Sequence, residues 1–206
     1  MRLRRTPRTA SFAAGFGGLA ELVQQGALAV QDSLGMGVRA RQADLDRLRT
    51  LDAEAQRARS AIVELARDSF VTPFDRGDIH QLAVRLAECL THMERAVDAG
   101  IRHGVEEFPE GSASLLDAVV RLSELTTRAL ASLHTADGVA DYPQEIRLLV
   151  ARAEPTHRGM LAEILAGTAD PLRAVRTAAV VEELVLVLRA FEQVATVVEG
   201  IVVKEA

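Results

Sequence analysis

The chain has 206 residues and 49% hydrophobic content, enough for one sizeable core or two small repeats around a shared one. It has no Trp, one Tyr and six Phe among abundant Ala, Leu, Arg and Glu, which sets strand-rich folds aside and predicts an all-α protein. A net charge of −5 argues against a general nucleic-acid binder, and the single cysteine, Cys89, excludes an internal disulfide and makes the cytoplasm the default compartment.

Positive charge is concentrated at the start, MRLRRTPR, with Arg2, Arg4, Arg5 and Arg8. This is either a solvated tail or a basic arm touching anionic lipid or the cytoplasmic side of a membrane protein. FAAGFGGLA follows, an apolar stretch that is short and interrupted by Gly15, Gly17 and Gly18. It continues into amphipathic ELVQQGALAVQDSL, so it reads as a mature helix, not a cleaved leader. No run of about 18 uninterrupted apolar residues occurs, so no membrane-spanning segment is expected.

Six helices are expected, with ends loose by about 2–4 residues. The first covers roughly 9–35 and stops at the glycines of LGMG; the second covers roughly 38–69. Its Leu45, Leu48, Leu51, Ala55, Ala58, Ile62 and Leu65 step by three or four and draw one buried stripe. The third, roughly 76–104, carries a heptad-like seam of Ile79, Leu82, Leu86, Cys89, Met93 and Ala96, ahead of the turn signal FPEG. The fourth, roughly 112–135, turns Leu115, Leu116, Val119, Leu122, Leu125 and Leu130 inward and ends at Ala136, Asp137 and Gly138. The fifth, roughly 142–167, contains Pro155, so a kink or break is expected near 151–155. The sixth opens at Asp170-Pro171, an N-cap followed by proline at the first helical position, and runs nearly to Ala206. Segment lengths suggest two three-helix halves, about 9–107 and 112–206, within a single domain.

The stretch FVTPFDRGDIH, Phe70 to His80, stands apart from the helical runs. Local rules cover most of it. Pro73 keeps Thr72 from continuing the second helix, and Phe70 is expected to end that helix in the core. Asp75 is expected to cap the third helix, with Asp78 in its first turn where negative charge suits the dipole, and Phe74 to pack back as a staple.

Catalytic signatures are missing: there is no G-x-S-x-G, P-loop or H-E-x-x-H. Cys89 lies on an apolar stripe, where a free cysteine is commonly buried and inert. Among His80, His92, His103, His134 and His157, only His92 has an acid four residues before it, Glu88, and two ligands are too few for a stable metal site. No enzyme is expected, and no cofactor.

FVTPFDRGDIHQLAVRL resembles the T-P-F-D-R-E-D-I motif of PhoU-like regulators, in the branch paired with Pit-type inorganic phosphate transporters. DPLRAVRT, FEQVATVVEGIVVKEA and the opening MRLRRTPRTASF are similar to that family's closing helix and start. The resemblance implies a pair of three-helix bundles and a cytoplasmic regulator or accessory of phosphate transport. The implied partner is a Pit-type transporter, engaged at its cytoplasmic face, with a location peripheral to the inner face of the membrane.

Some relatives carry E/D-x-x-x-D motifs that hold metal clusters, because carboxylates four apart share one helical face. Against that pattern, this chain shows Asp52 with Gln56, then Ala87, Glu88 and Thr91, then Val150 with Glu154. Val185, Leu186 and Arg189 follow, with Glu192 remaining. A metal cluster is expected to be absent or weakened, with Asp52, Glu88, Glu154 and Glu192 as residual candidates or ordinary surface acids. The alternative is a metal-binding helical protein that uses those four acids, or a diverged scaffold with no phosphate role. VVEELVLVLRAF is apolar beyond a single stripe. Val185, Leu186 and Arg189 are therefore a candidate contact face for a homo-oligomer or a protein partner, unless neighbouring helices cover it.

Overall fold

The computed structural model describes residues 7–33, 37–133, 139–167 and 170–205. Six α-helices follow in order: α1 (Pro7–Asp32), α2 (Val38–Asp68), α3 (Arg76–Arg102), α4 (Ser112–Ala131), α5 (Tyr142–Gly167) and α6 (Pro171–Glu205). No strand occurs among the described residues. α1, α2 and α3 pack on one another, as do α4, α5 and α6, and the two three-helix bundles join along α1–α4 and α3–α6. α6, of 35 residues, spans about 50 Å at the standard rise and touches α3, α4 and α5.

The sequence stripes account for the core. Leu45, Leu48, Leu51, Ala55 and Ile62 of α2 are buried, and so are Ile79, Leu82, Leu86, Cys89, Met93 and Ala96 of α3. Both sets recur at steps of three, four or seven residues, so each helix presents one continuous face to its neighbours. On α6 the buried set is wider, including Val180, Val181, Leu184, Val185, Val187, Leu188 and Phe191. A helix enclosed on several sides needs apolar residues on several sides.

The end of α3 shows how a turn prepares a distant contact. Gly104 takes φ +65, the Val105 amide donates to the Gly100 carbonyl at 3.0 Å, and the Gly104 amide donates to Ile101 at 3.1 Å. This double bond pattern requires the left-handed residue that glycine supplies cheaply. It leaves the carbonyls of Val105 and Glu106 facing α2, where Arg41 reaches them. Arg41 is completely buried. Its Nη1 donates to Val105, its Nη2 to Glu106 at 2.7 Å and its Nε to the Ser33 carbonyl at 3.3 Å. Its guanidinium lies 4.4 Å from the Phe108 ring centroid. One side chain thus ties the α1–α2 connection to the α3–α4 connection. Burial lowers its pKa, but Arg starts so high that the group stays charged.

Two expectations become more definite. α5 runs through Pro155 without a break. Pro155 and Ala151, whose carbonyl loses its helical donor there, both lie on the exposed side, where water can serve that carbonyl. α4 stops at Ala131 with Ser132 as its C-cap, not near 135. Ala136, Asp137 and Gly138 fall outside the described residues, as do Arg2, Arg4 and Arg5, while Arg8 falls in the first turn of α1.

Candidate functional site

The positions that the family motif marks on α2 and α3 come together. Thr91 Oγ1 donates to Asp52 Oδ1 at 2.8 Å, and Gln56 Nε2 reaches the same oxygen at 3.4 Å. Gln56 Nε2 also lies 3.5 Å from Thr91 Oγ1. The Oδ1 of Asp52 thus accepts from neutral donors, where a cluster would need further hard anionic oxygens. Ala87, next on this face, is buried and supplies no ligand.

Glu88 and Glu154 turn to local cations. Glu88 Oε2 pairs with Arg85 Nη1 at 2.7 Å, and Glu154 lies 3.9 Å from Arg158. Glu192 is half-buried, and its carbonyl accepts from Thr196 Oγ1 at 3.0 Å. His92, one turn on from Glu88, still feels the charges of Glu183 and Glu88, which oppose the lowering of its pKa. Its Nδ1 is buried without a partner, and burial, then Arg95, lowers its pKa, so the ring is neutral at ordinary pH. Among the described residues, no group of three or more His, Cys, Asp or Glu could hold a metal ion. The donor set present does not fit a multinuclear cluster.

The α6 face proposed for a partner is mostly spent internally. Val185 is 7% exposed, Leu186 is half-buried, and only Arg189 stands in solvent. The extra apolar width of α6 faces its own neighbours, so these positions present no open greasy surface. Cys89 is fully buried, and burial, then Glu88, pushes its thiol pKa far up, which removes it as a nucleophile. A groove of about 400 Å³ between α4 and α5 mixes Arg121, Arg128 and Arg152 with Glu124 and Glu145 around Leu125, Leu148 and Leu149.

The corner between α2 and α3 is built more tightly than its sequence suggests. Asp75 Oδ1 accepts from the amides of Gly77 at 2.8 Å and Asp78 at 3.3 Å, two donors left open at the helix start. A Cβ at Gly77 would stand 2.8 Å from that oxygen, so the glycine makes room for the cap. Arg76 reaches backwards to close α2: its Nε donates to the Ala66 carbonyl at 3.1 Å and its Nη2 to Ser69 at 2.6 Å. Asp78 is held by Lys204 Nζ, 2.8 Å from both carboxylate oxygens. The hydrogen bond to Asp78 raises the Lys204 pKa. The two stretches that most resemble the family motif, at the start of α3 and the end of α6, therefore touch each other.

Phe74 is buried and stacks on Phe16 of α1 at 6.2 Å between centroids; its seat is α1. Phe70 reverses its expectation, being 92% exposed. α2 ends at Asp68, and Ser69 is extended at φ −89, ψ 130. In extended chain successive side chains point to opposite sides, so buried Ser69 sends Phe70 outward. Replacing Asp75 by Ala is expected to cost about 0.5–2 kcal/mol in a urea melt, because both amides lose their acceptor. An unchanged midpoint would contradict the cap's contribution.

Sequence reasoning missed Arg41, Arg76 and Lys204. Arg41 left a signal, since it lies four residues before Leu45, in register with the buried stripe of α2. Arg76 sits inside the motif, where it reads as one more charged residue. Lys204 meets Asp78 across 126 positions, a distance that periodicity does not bridge.

No protein-family model matches the chain. A protein of Rhizobium meliloti (strain 1021) named "Putative pit accessory protein" is 27% identical over 168 residues, covering 77% of this chain and 77% of that one. A PhoU-like protein from Shewanella oneidensis MR-1 superposes with a TM-score of 0.67 at 12% identity, covering 98% of this chain and 99% of the other. PhoU from Pseudomonas aeruginosa superposes with a TM-score of 0.67 at 14% identity, covering 97% and 98%. At such identities the structural likeness speaks for the fold alone. The chain thus has a PhoU-like fold and is similar along 77% of its length to a protein named "Putative pit accessory protein".

Proposed function

We propose that this chain is an accessory or regulatory protein of inorganic phosphate transport, acting by binding at the cytoplasmic face of a Pit-type transporter. The observation that carries it is the similarity to the pit accessory protein over 77% of both chains, on a PhoU-like fold. Residues 9–107 and 112–206 serve as the two helical halves of one unit. Binding without catalysis fits a molecule whose thiol is buried, whose Glu88 and Glu154 are ion-paired and whose Asp52 accepts hydrogen bonds from neutral donors. A binder that prefers one transporter conformation shifts the transport cycle by its differential affinity and needs no chemical step. No helix of the described residues is long and apolar enough to cross a membrane.

The test is labelled phosphate uptake in cells that depend on a Pit-type transporter, with and without this gene. Deletion is expected to change uptake, and re-expression to restore it.

A further inference from the structure

Many arginines of this molecule are spent on the chain itself. Arg85, Arg147 and Arg158 reach acids, and Arg41 and Arg76 reach carbonyls. Arg121 of α4 and Arg152 of α5 make no ion pair or hydrogen bond among the described residues. Their surroundings explain it. Arg152 has Leu148, Leu149, Pro155 and Thr156 three and four residues away, so its own helix offers it no acid at pairing distance. Arg121 has Asp117 four residues before it, but Asp117 Oδ1 accepts from Gln31 Nε2 of α1 at 2.7 Å.

The two arginines stand on opposite walls of the α4–α5 groove and line both of its parts. In the wider part, Glu124 and Glu145 offset Arg128. The narrower part, about 230 Å³, sets Arg121 and Arg152 against Asp117 alone, so positive charge is in excess there. Ala118 and Ala153 leave the room, and Ser114 and Thr156 add hydroxyls. Those hydroxyls are unspent. Thr50, Thr126 and Thr196 donate theirs to the carbonyl four residues back. Thr156 does not: a Cβ at Gly111 would stand 3.1 Å from its Cγ2, which turns the methyl to the α3–α4 connection. Neither its hydroxyl nor that of Ser114 makes a hydrogen bond among the described residues.

Two guanidinium forks and two hydroxyls suit a tetrahedral oxyanion. Asp117 selects among such anions. Only its Oδ1 is engaged, by Gln31. To sulfate, which carries no proton, the carboxylate is a like charge that opposes binding. Inorganic phosphate near neutral pH keeps a proton and donates it in a hydrogen bond to the second oxygen. A phosphate monoester loses its last proton at a pKa of about 6 and so resembles sulfate. We propose that the narrower part of the α4–α5 groove is a binding site for inorganic phosphate. Arg121 and Arg152 hold its charged oxygens, Ser114 and Thr156 donate to it, and Asp117 accepts from its hydroxyl.

The experiment is an amide NMR titration of the isotope-labelled full chain near neutral pH, with phosphate, sulfate and glycerol 3-phosphate at matched ionic strength. Phosphate is expected to move amides around residues 114–121 and 149–156 with a Kd on the order of 1 mM or tighter. The other two anions are expected to bind at least about tenfold more weakly. Arg121→Gln and Arg152→Gln are each expected to weaken phosphate binding at least about tenfold. Asp117→Asn is expected to narrow the gap between phosphate and sulfate. Arg176→Gln, at an exposed position of α6 outside the groove, should bind phosphate like the parent. All four substitutions are at exposed positions, and an unchanged thermal melt verifies the fold. No saturation by about 10 mM phosphate would overturn the proposal. So would sulfate or glycerol 3-phosphate binding as tightly as phosphate, or Arg121 and Arg152 variants that bind like the parent. The sample holds no transporter, so this result stands or falls apart from the uptake phenotype.

Discussion

Arg41→Ala is expected to lower the unfolding free energy by about 3–5 kcal/mol and the melting temperature by roughly 10 °C. The substitution strands the carbonyls of Ser33, Val105 and Glu106, which now accept from the guanidinium. It also opens a cavity beside Phe108 where the chain is fully buried. Arg41→Lys should recover little, because one ammonium cannot present three donors in a planar fork or stack on a ring. Arg39→Ala, two residues away and exposed, is the control and should stay within about 0.5 kcal/mol. Guanidinium melts of the three variants measure this. A loss below about 1 kcal/mol for Arg41→Ala would show that the two connections hold without their shared clamp.

The second large effect is expected at Phe16. Phe16→Ala should cost about 3–5 kcal/mol, as for other buried aromatics, since the ring is 1% exposed and forms the surface on which Phe74 rests. Through Phe74 the loss reaches the corner, so α1 and the α2–α3 turn should be coupled. A double-mutant cycle with Phe74→Ala is expected to show about 0.5–1.5 kcal/mol of interaction. Additive losses would mean that the 6.2 Å stacking is incidental contact. The exposed ring of Phe70, only four residues from Phe74, should be almost neutral for stability in the same assay.

These contrasts show which parts of the structure a linear reading reaches. The stripes Leu45–Ile62 and Ile79–Ala96 were legible because helical burial repeats every three to four residues, and the six helices followed from them. The cap at Asp75 is also a local event, set by its neighbours in sequence. The direction of Phe70 was not legible, because it depends on the backbone turning extended one residue earlier, at Ser69. Arg41 was hidden by its charge: an arginine among exposed arginines looks solvated until its carbonyl partners, more than sixty positions away, are brought to it. The breadth of α6 was visible, but whether Val185 meets solvent or its own chain depends on α3, α4 and α5 together. The expected weakening of a metal face lay between these cases. Its missing acids could be counted in the sequence, whereas the way Thr91 and Gln56 satisfy Asp52 required two helices side by side.

The central claim is a role in phosphate transport exercised by binding, and labelled phosphate uptake through a Pit-type transporter tests it most directly. Cells retaining that transporter as their phosphate route should show altered uptake when this chain is removed, with parental uptake restored by re-expression. An Asp52→Asn form should restore it equally well, because a carboxylate satisfied by neutral donors is not asked to hold a metal. Uptake that is identical with and without the chain, across limiting and abundant phosphate, would contradict the account.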